Sequence, residues 1–170
     1  MDKTHDLEAR QVSRRRWLRL GAKTLHDLSS MTFGGALAAC LLINQMANRE
    51  TEAEFAAARL AYSSIAQYLL IPSMFIVVLS GLIALAATRA YTSAGWAWFK
   101  ALLGISVFGA TLVLVGSNQK QAEILAAHAD PALLTTLLRA ERNTLWLLIA
   151  LSVVNVVLAV WRPRLGPKGR

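Results

Sequence analysis

Charged and polar positions cut this chain into four long apolar stretches, residues 25–46, 64–87, 96–117 and 144–161. A helix needs about 20 apolar residues to cross the hydrocarbon core of a bilayer, with a usual range of about 17–25. All four stretches fall in that range. None alternates with the period of two that barrel strands require, so only helix can satisfy their backbones in lipid. The pattern predicts an all-α membrane protein, a four-transmembrane-helix up-down bundle over residues 24–162. A basic arm (1–23) precedes the bundle and a basic tail (163–170) follows it. Residues 47–63 and 118–143 are the two long connections.

Local signals refine the helices. Trp17 to Lys23 mixes basic and apolar residues, as an interfacial turn before the first span would. Ser30, Gly34 and Ala38 recur at spacing four, a small-residue stripe that permits close helix approach or leaves room for a flat ligand. Ala53 to Ser63 holds helix formers without a breaker, so the second helix is expected to start outside the bilayer. Pro72 lacks a backbone donor and should kink that helix, freeing a carbonyl near Tyr68; Ser80-Gly81 is a second weak point. Trp96, Trp98 and Phe99 form an aromatic belt where the third helix enters, and Gly104, Gly109 and Gly116 permit contacts along it. Gln121 to His128 favours helix. Asp130-Pro131 reads as an N-cap with proline at the first helical position. Leu133, Leu134, Leu137 and Leu138 continue as a helical stripe, so the fourth helix should begin near Pro131, run to Trp161 and stop at Pro163.

Charge sets an expected orientation. Arg10, Arg14, Arg15, Arg16, Arg19 and Lys23 crowd the arm, and Arg162, Arg164, Lys168 and Arg170 crowd the tail. Arg89 and Lys100 bound the short second connection. In the long connections Arg49, Arg59, Lys120, Arg139 and Arg142 stand against Glu50, Glu52, Glu54, Glu123, Asp130 and Glu141. Basic excess alternates with balance at each crossing, which predicts cytoplasmic termini and external long connections for a multi-pass protein. The net charge of +8 then reflects topology and anionic headgroups. The expected partner is the lipid bilayer, with no nucleic acid. Ser13 to Arg19 resembles a twin-arginine signal and Leu37-Ala38-Ala39-Cys40 a lipoprotein box. Lys23, His26 and Asp27 interrupt the first pattern, and apolar residues continue beyond Cys40, so a positive-inside anchor is expected.

The chemistry-bearing candidates are few. His26 and Asp27 open the first span and Lys100 opens the third, which places them in one layer on the cytoplasmic side. Ionisable residues in a span are costly and often functional, although lysine can also snorkel to the interface. Adjacent helical residues point about 100° apart, so His26 and Asp27 face different neighbours. Asn155 lies near mid-span in the fourth helix, as interhelical glue or a ligand contact. His128 with Asp130 lacks a third ligand and reads as solvated loop, and His5 as part of the arm. The single cysteine, Cys40, precludes an intrachain disulfide, and scattered Met31, Met46 and Met74 give no copper-thioether site.

Three motifs together carry a family resemblance: Leu25-His26-Asp27-Leu28-Ser29-Ser30 with Phe33-Gly34-Gly35, Gly95-Trp96-Ala97-Trp98-Phe99-Lys100, and Val160-Trp161-Arg162-Pro163-Arg164. Over about residues 24–164 the chain resembles a group of small bacterial four-helix membrane proteins, similar to the HemJ type of protoporphyrinogen oxidase and the CopD membrane domain. The resemblance implies a b-type haem as cofactor, with His26 as its metal ligand and His26 and Lys100 as the catalytic pair. Ser30 and Gly34 would give the cofactor space, and Asn155 could hold a polar edge. One spanning histidine cannot build a bis-histidine haem within one chain, so a different second ligand, a homo-oligomer or partner membrane subunits are expected. The expectation is a haem-associated or redox-related membrane protein, an oxidoreductase if porphyrinogen is its substrate. The alternatives are a non-catalytic subunit or assembly factor of a larger membrane complex, and a small transporter flexing at Pro72 and Ser80-Gly81.

Overall fold

The computed structural model describes residues 3–47, 50–87, 95–115 and 118–161. Arg49, Arg89, Gly116, Pro163 and the tail residues Arg162, Arg164, Lys168 and Arg170 lie outside the described residues, as do the side chains of His5, Arg10, Arg14, Arg15, Arg16, Arg19 and Trp96. The described chain is helical apart from short connections, with α1 at Lys3–Met46, α2 at Glu52–Ile65, a π turn at Ala66–Leu70 and α3 at Ile71–Ala87. Then come α4 at Gly95–Val115, α5 at Asn118–Ala126, a 3-10 turn at Ala127–Ala129 and α6 at Pro131–Trp161. Four helices are long and apolar enough to cross a membrane: the Leu20–Met46 part of α1, the continuous Glu52–Ala86 helix, Ala97–Leu114 within α4, and α6.

Helix α1 departs from expectation at its start. It runs 44 residues without the turn predicted at Trp17 to Lys23. Good helix formers, including Leu7, Ala9, Arg10, Leu18 and Leu20, dominate the arm, and the lone Gly21 does not break it. The other boundaries follow local chemistry. Asp130 accepts bonds from the amides of Ala132 (3.0 Å) and Leu133 (3.3 Å), capping α6 at the predicted point. Pro72 is separated from the π turn by one residue, Ile71, whose amide reaches back to the Ala66 carbonyl. The lost proline donor is thus accommodated by local widening of the helix rather than by ending it.

The long helices form a closed ring. α1 packs on α3, α3 on α4, α4 on α6, and α6 on α1. Inside lie Phe33, Leu37, Cys40, Tyr62, Leu70, Met74, Val107, Leu145 and Leu148. The outward faces are also apolar, with Met31, Leu60, Phe75, Ile83, Leu102, Val113, Leu147 and Val156 exposed. In lipid, outward and inward apolar faces are solvated alike, so close packing and polar contacts between helices hold such a ring together. A smaller second core, Phe55, Ile124, Leu134 and Leu138, joins α2, α5 and α6 in a cap at one end of the ring. His128 stacks on Phe55 inside this cap, with centroids 4.7 Å apart. It is half-buried against the ring, so the expected solvated loop is a packed turn. The Ser30, Gly34, Ala38 stripe also departs from expectation. The buried face of α1 is Ser29, Phe33, Ala36, Leu37, Cys40 and Asn44, while Gly34 and Ala38 are exposed.

Candidate functional site

The polar residues of the ring fall into two groups, one near each end. His26 and Asn44 mark them on α1, about 27 Å apart at about 1.5 Å per helical residue.

The first group forms around His26. Its ring is half-buried against α3, and Nδ1 lies 2.8 Å from Ser80 Oγ. The Ser80 hydroxyl has one proton, directed to its own helix at the Ile76 carbonyl (2.6 Å). The Ser80 oxygen therefore accepts, and His26 donates from Nδ1. The neutral ring then keeps its lone pair on Nε2, the tautomer suited to metal ligation through Nε2. A Cβ on Gly81 would stand 3.8 Å from His26 Cε1, so the missing side chain lets the ring lie flat against α3. Lys100 from α4 is within electrostatic range of the ring. One turn further along α4, a Cβ on Gly104 would meet Asn155 Nδ2 of α6 at 3.9 Å. Asn155 Oδ1 is buried with no hydrogen-bond partner among the described residues. His26, Ser80, Lys100 and Asn155 thus bring one polar side chain from each helix of the ring to the same end.

The other candidates stand at the edge of this layer. Ser30 spends its hydroxyl on the His26 carbonyl (2.8 Å), and Asp27 is exposed. Gly34 is exposed, and a Cβ there would meet nothing within 4 Å. Among the described residues, no group of three or more His, Cys, Asp or Glu side chains could hold a metal ion.

The second group was missed by sequence reasoning, which counted Arg59 and Glu141 only among the charges of the long connections. Arg59 of α2 and Glu141 of α6 are each 1% exposed and form a two-pronged pair. Nη1 donates to Glu141 Oε2 at 2.8 Å and Nη2 to Oε1 at 2.9 Å. Arg59 Nε donates to Gln121 of α5 at 3.2 Å, and its guanidinium lies 4.5 Å from the Tyr62 ring centroid. Asn44 Nδ2 of α1 donates to Glu141 Oε2 at 2.6 Å and to the Leu138 carbonyl at 3.3 Å. The cluster ties α1, α2, α5 and α6 together where the cap meets the ring. One of its atoms, Asn44 Oδ1, is buried without a hydrogen-bond partner among the described residues. An unsatisfied buried polar group costs about 1–3 kcal/mol.

The signal for this cluster lay in the periodicity. Phe55, Arg59, Tyr62, Ala66 and Leu70 repeat at spacings of three and four, as do Leu134, Leu138, Glu141, Leu145 and Leu148. Arg59 and Glu141 occupy core positions of otherwise apolar stripes, and a charge in that position demands a partner.

No protein-family model, curated protein or solved structure matches this chain.

Proposed function

We propose that the chain is a multi-pass protein of the bacterial inner membrane, an up-down bundle with both termini in the cytoplasm, that carries a haem-type cofactor at its cytoplasmic end. The orientation rests on the alternation of basic excess and charge balance between successive connections. The helix contacts support the up-down order: α1 meets the late part of α3 at His26 and Ser80, and the early part of α6 at Asn44 and Glu141.

The observation that carries the cofactor reading is the Ser80-held imidazole. His26 offers Nε2 as a lone pair while Ser80 holds Nδ1, the arrangement of a metal-bound histidine with its outer hydrogen bond already made. Lys100 supplies a cation in the same layer, suited to a propionate. Asn155 supplies a buried acceptor on the same side of α4. A bound haem would supply one-electron chemistry. The chain's own residues would fix the ligand's tautomer, balance carboxylate charge and limit water. Absorption spectra of the purified protein, oxidised and then reduced, test this reading. The wild type should show a Soret band that His26→Ala removes; colourless, folded wild type that stays colourless with added haem would reject it.

A second reading is that of a subunit docking on a larger membrane complex. Gly34, Gly35 and Ala38 give α1 an outward surface of small residues, two of them glycines with open space beyond, where another helix could approach closely. Partner subunits that co-purify stably, with activity insensitive to His26→Ala, would favour it.

A further inference from the structure

Helix α1 turns a charged strip of its surface away from the ring. At about 100° per residue, Lys23, Asp27, Gly34, Ala38 and Gln45 fall within an arc of about 60°, and all of them are exposed. His26, Phe33, Leu37 and Cys40 occupy a different side of the helix, against the rest of the bundle. Asp27 lies seven residues beyond Leu20, where the apolar span of α1 begins, or about 10 Å along the axis at about 1.5 Å per residue. Its neighbours Leu28 and Met31 are 61% and 76% exposed, an apolar surface that faces lipid. An ionisable side chain on such a surface is costly unless a partner meets it. Among the described residues no ion pair reaches Lys23 or Asp27. Lysine four places before an acid is also the poorer order for pairing within one helix. Two turns further along, a Cβ on Gly34 would meet nothing within 4 Å. Gly34 and Ala38, at spacing four, let two helix backbones approach closely.

We propose that this face of α1 is the interface of a parallel, two-fold homodimer. The charges select the occupant. All copies insert in the same sense, so a two-fold axis along the membrane normal sets α1 beside α1, each position facing its own equivalent. One helical turn, about 5.4 Å, then offsets Lys23 of one copy from Asp27 of the other, a step that the flexible lysine stem spans. The contact forms twice, crosswise, and gives every one of these charges an opposite partner. A foreign helix would need an acid and a base at these same two heights; a second copy already carries them. The backbones meet at Gly34 and Ala38, and Gln45 of each copy can donate to the other near the far end of the span. His26 still faces inward in each copy, so the dimer stands independently of the cofactor reading.

Energy transfer between full chains carrying donor or acceptor dyes at the C-terminus, reconstituted together in vesicles over a range of protein-to-lipid ratios, tests the proposal. Wild type should associate reversibly. Gly34→Leu should weaken association on the order of tenfold, the worth of one good interhelical contact. Gly109→Leu should leave it unchanged, because Gly109 is equally exposed with open space beyond it but lies on α4. Asp27→Lys should also weaken association, and Lys23→Asp combined with Asp27→Lys should restore it, since the crosswise pairs re-form. Independently, Ala38→Cys in a Cys40→Ala background should cross-link to itself on oxidation, and Gly109→Cys should not. Wild type monomeric at every ratio, folded Gly34→Leu associating like wild type, or Gly34→Leu and Gly109→Leu weakened alike would overturn the proposal. So would a double exchange that associates no better than Asp27→Lys, or an Ala38→Cys chain that does not cross-link. Should Gly34→Leu fail to fold, Ala38→Leu on the same face takes its place with the same expected loss, and wild-type association there would overturn the proposal.

Discussion

Replacing Glu141 with leucine strands the Arg59 guanidinium in an environment where the wild-type side chain is 1% exposed. Two charge-assisted bonds, at 2.8 and 2.9 Å, disappear, and Asn44 Nδ2 loses its 2.6 Å acceptor. Breaking one side of a buried pair costs about 3–5 kcal/mol, chiefly because the remaining charge is left uncompensated. At about 2–4 °C per kcal/mol for a chain of this size, the melting temperature in mild detergent should fall by about 6–20 °C. Arg59→Met should cost a similar amount. The double variant, with both charges gone and apolar volume restored, should return to within about 1–2 kcal/mol of wild type or exceed it. The assay is thermal unfolding followed by circular dichroism, with the coupling taken from the double-mutant cycle. Raising salt from about 0.1 M to about 1 M shortens the Debye length from about 10 Å to about 3 Å, which should leave the wild-type melt little changed because the pair is enclosed. Single variants within about 1 kcal/mol of wild type would refute the reasoning, since that is the worth of an exposed ion pair.

Two further outcomes follow from the same structure. Leu148 is fully buried and Leu147 is 55% exposed. Leu148→Ala should destabilise the protein by about 2–5 kcal/mol through the cavity it leaves, while Leu147→Ala, on the lipid-facing side, should cost under about 1 kcal/mol; equal effects by denaturant titration would contradict the ring. Cysteines placed one at a time at Thr4, Glu52, Asp130 and Lys168 in a Cys40→Ala background should split into two classes with a membrane-impermeant thiol reagent on intact cells. Positions 52 and 130 should label and positions 4 and 168 should not; the reverse pattern would invert the proposed orientation.

The sequence carried much of this architecture, because spans, caps and breakers are local. Asp130-Pro131 marks the start of α6, and Pro72 marks the irregular turn of the second long helix. The polar layer at His26 and Lys100 was legible because charges inside apolar runs stand out. Ser80 as the partner of His26 was not, since it rests on how two helices separated by 54 positions are rotated against each other. The Arg59–Glu141 pair was hidden for another reason. Charge counting treats every residue of a connection as solvated, whereas α2 and α6 extend beyond the apolar runs and keep burying one face. Continuing the heptad-like spacing from Leu145 back through Glu141, and from Ala66 back through Arg59, would have placed both charges inside. The outward turn of Gly34 could not be read from spacing alone: a small-residue stripe marks a face that tolerates close approach without saying what approaches it.

The reading of His26 as a cofactor ligand is tested most directly by titrating haem into the purified apoprotein, with His26→Ala and Ser80→Ala beside it. The account predicts saturable binding with a Soret shift in wild type, loss of that shift in His26→Ala, and weaker or heterogeneous ligation in Ser80→Ala, where Nδ1 loses its 2.8 Å partner. Identical titrations for wild type and a folded His26→Ala would contradict it.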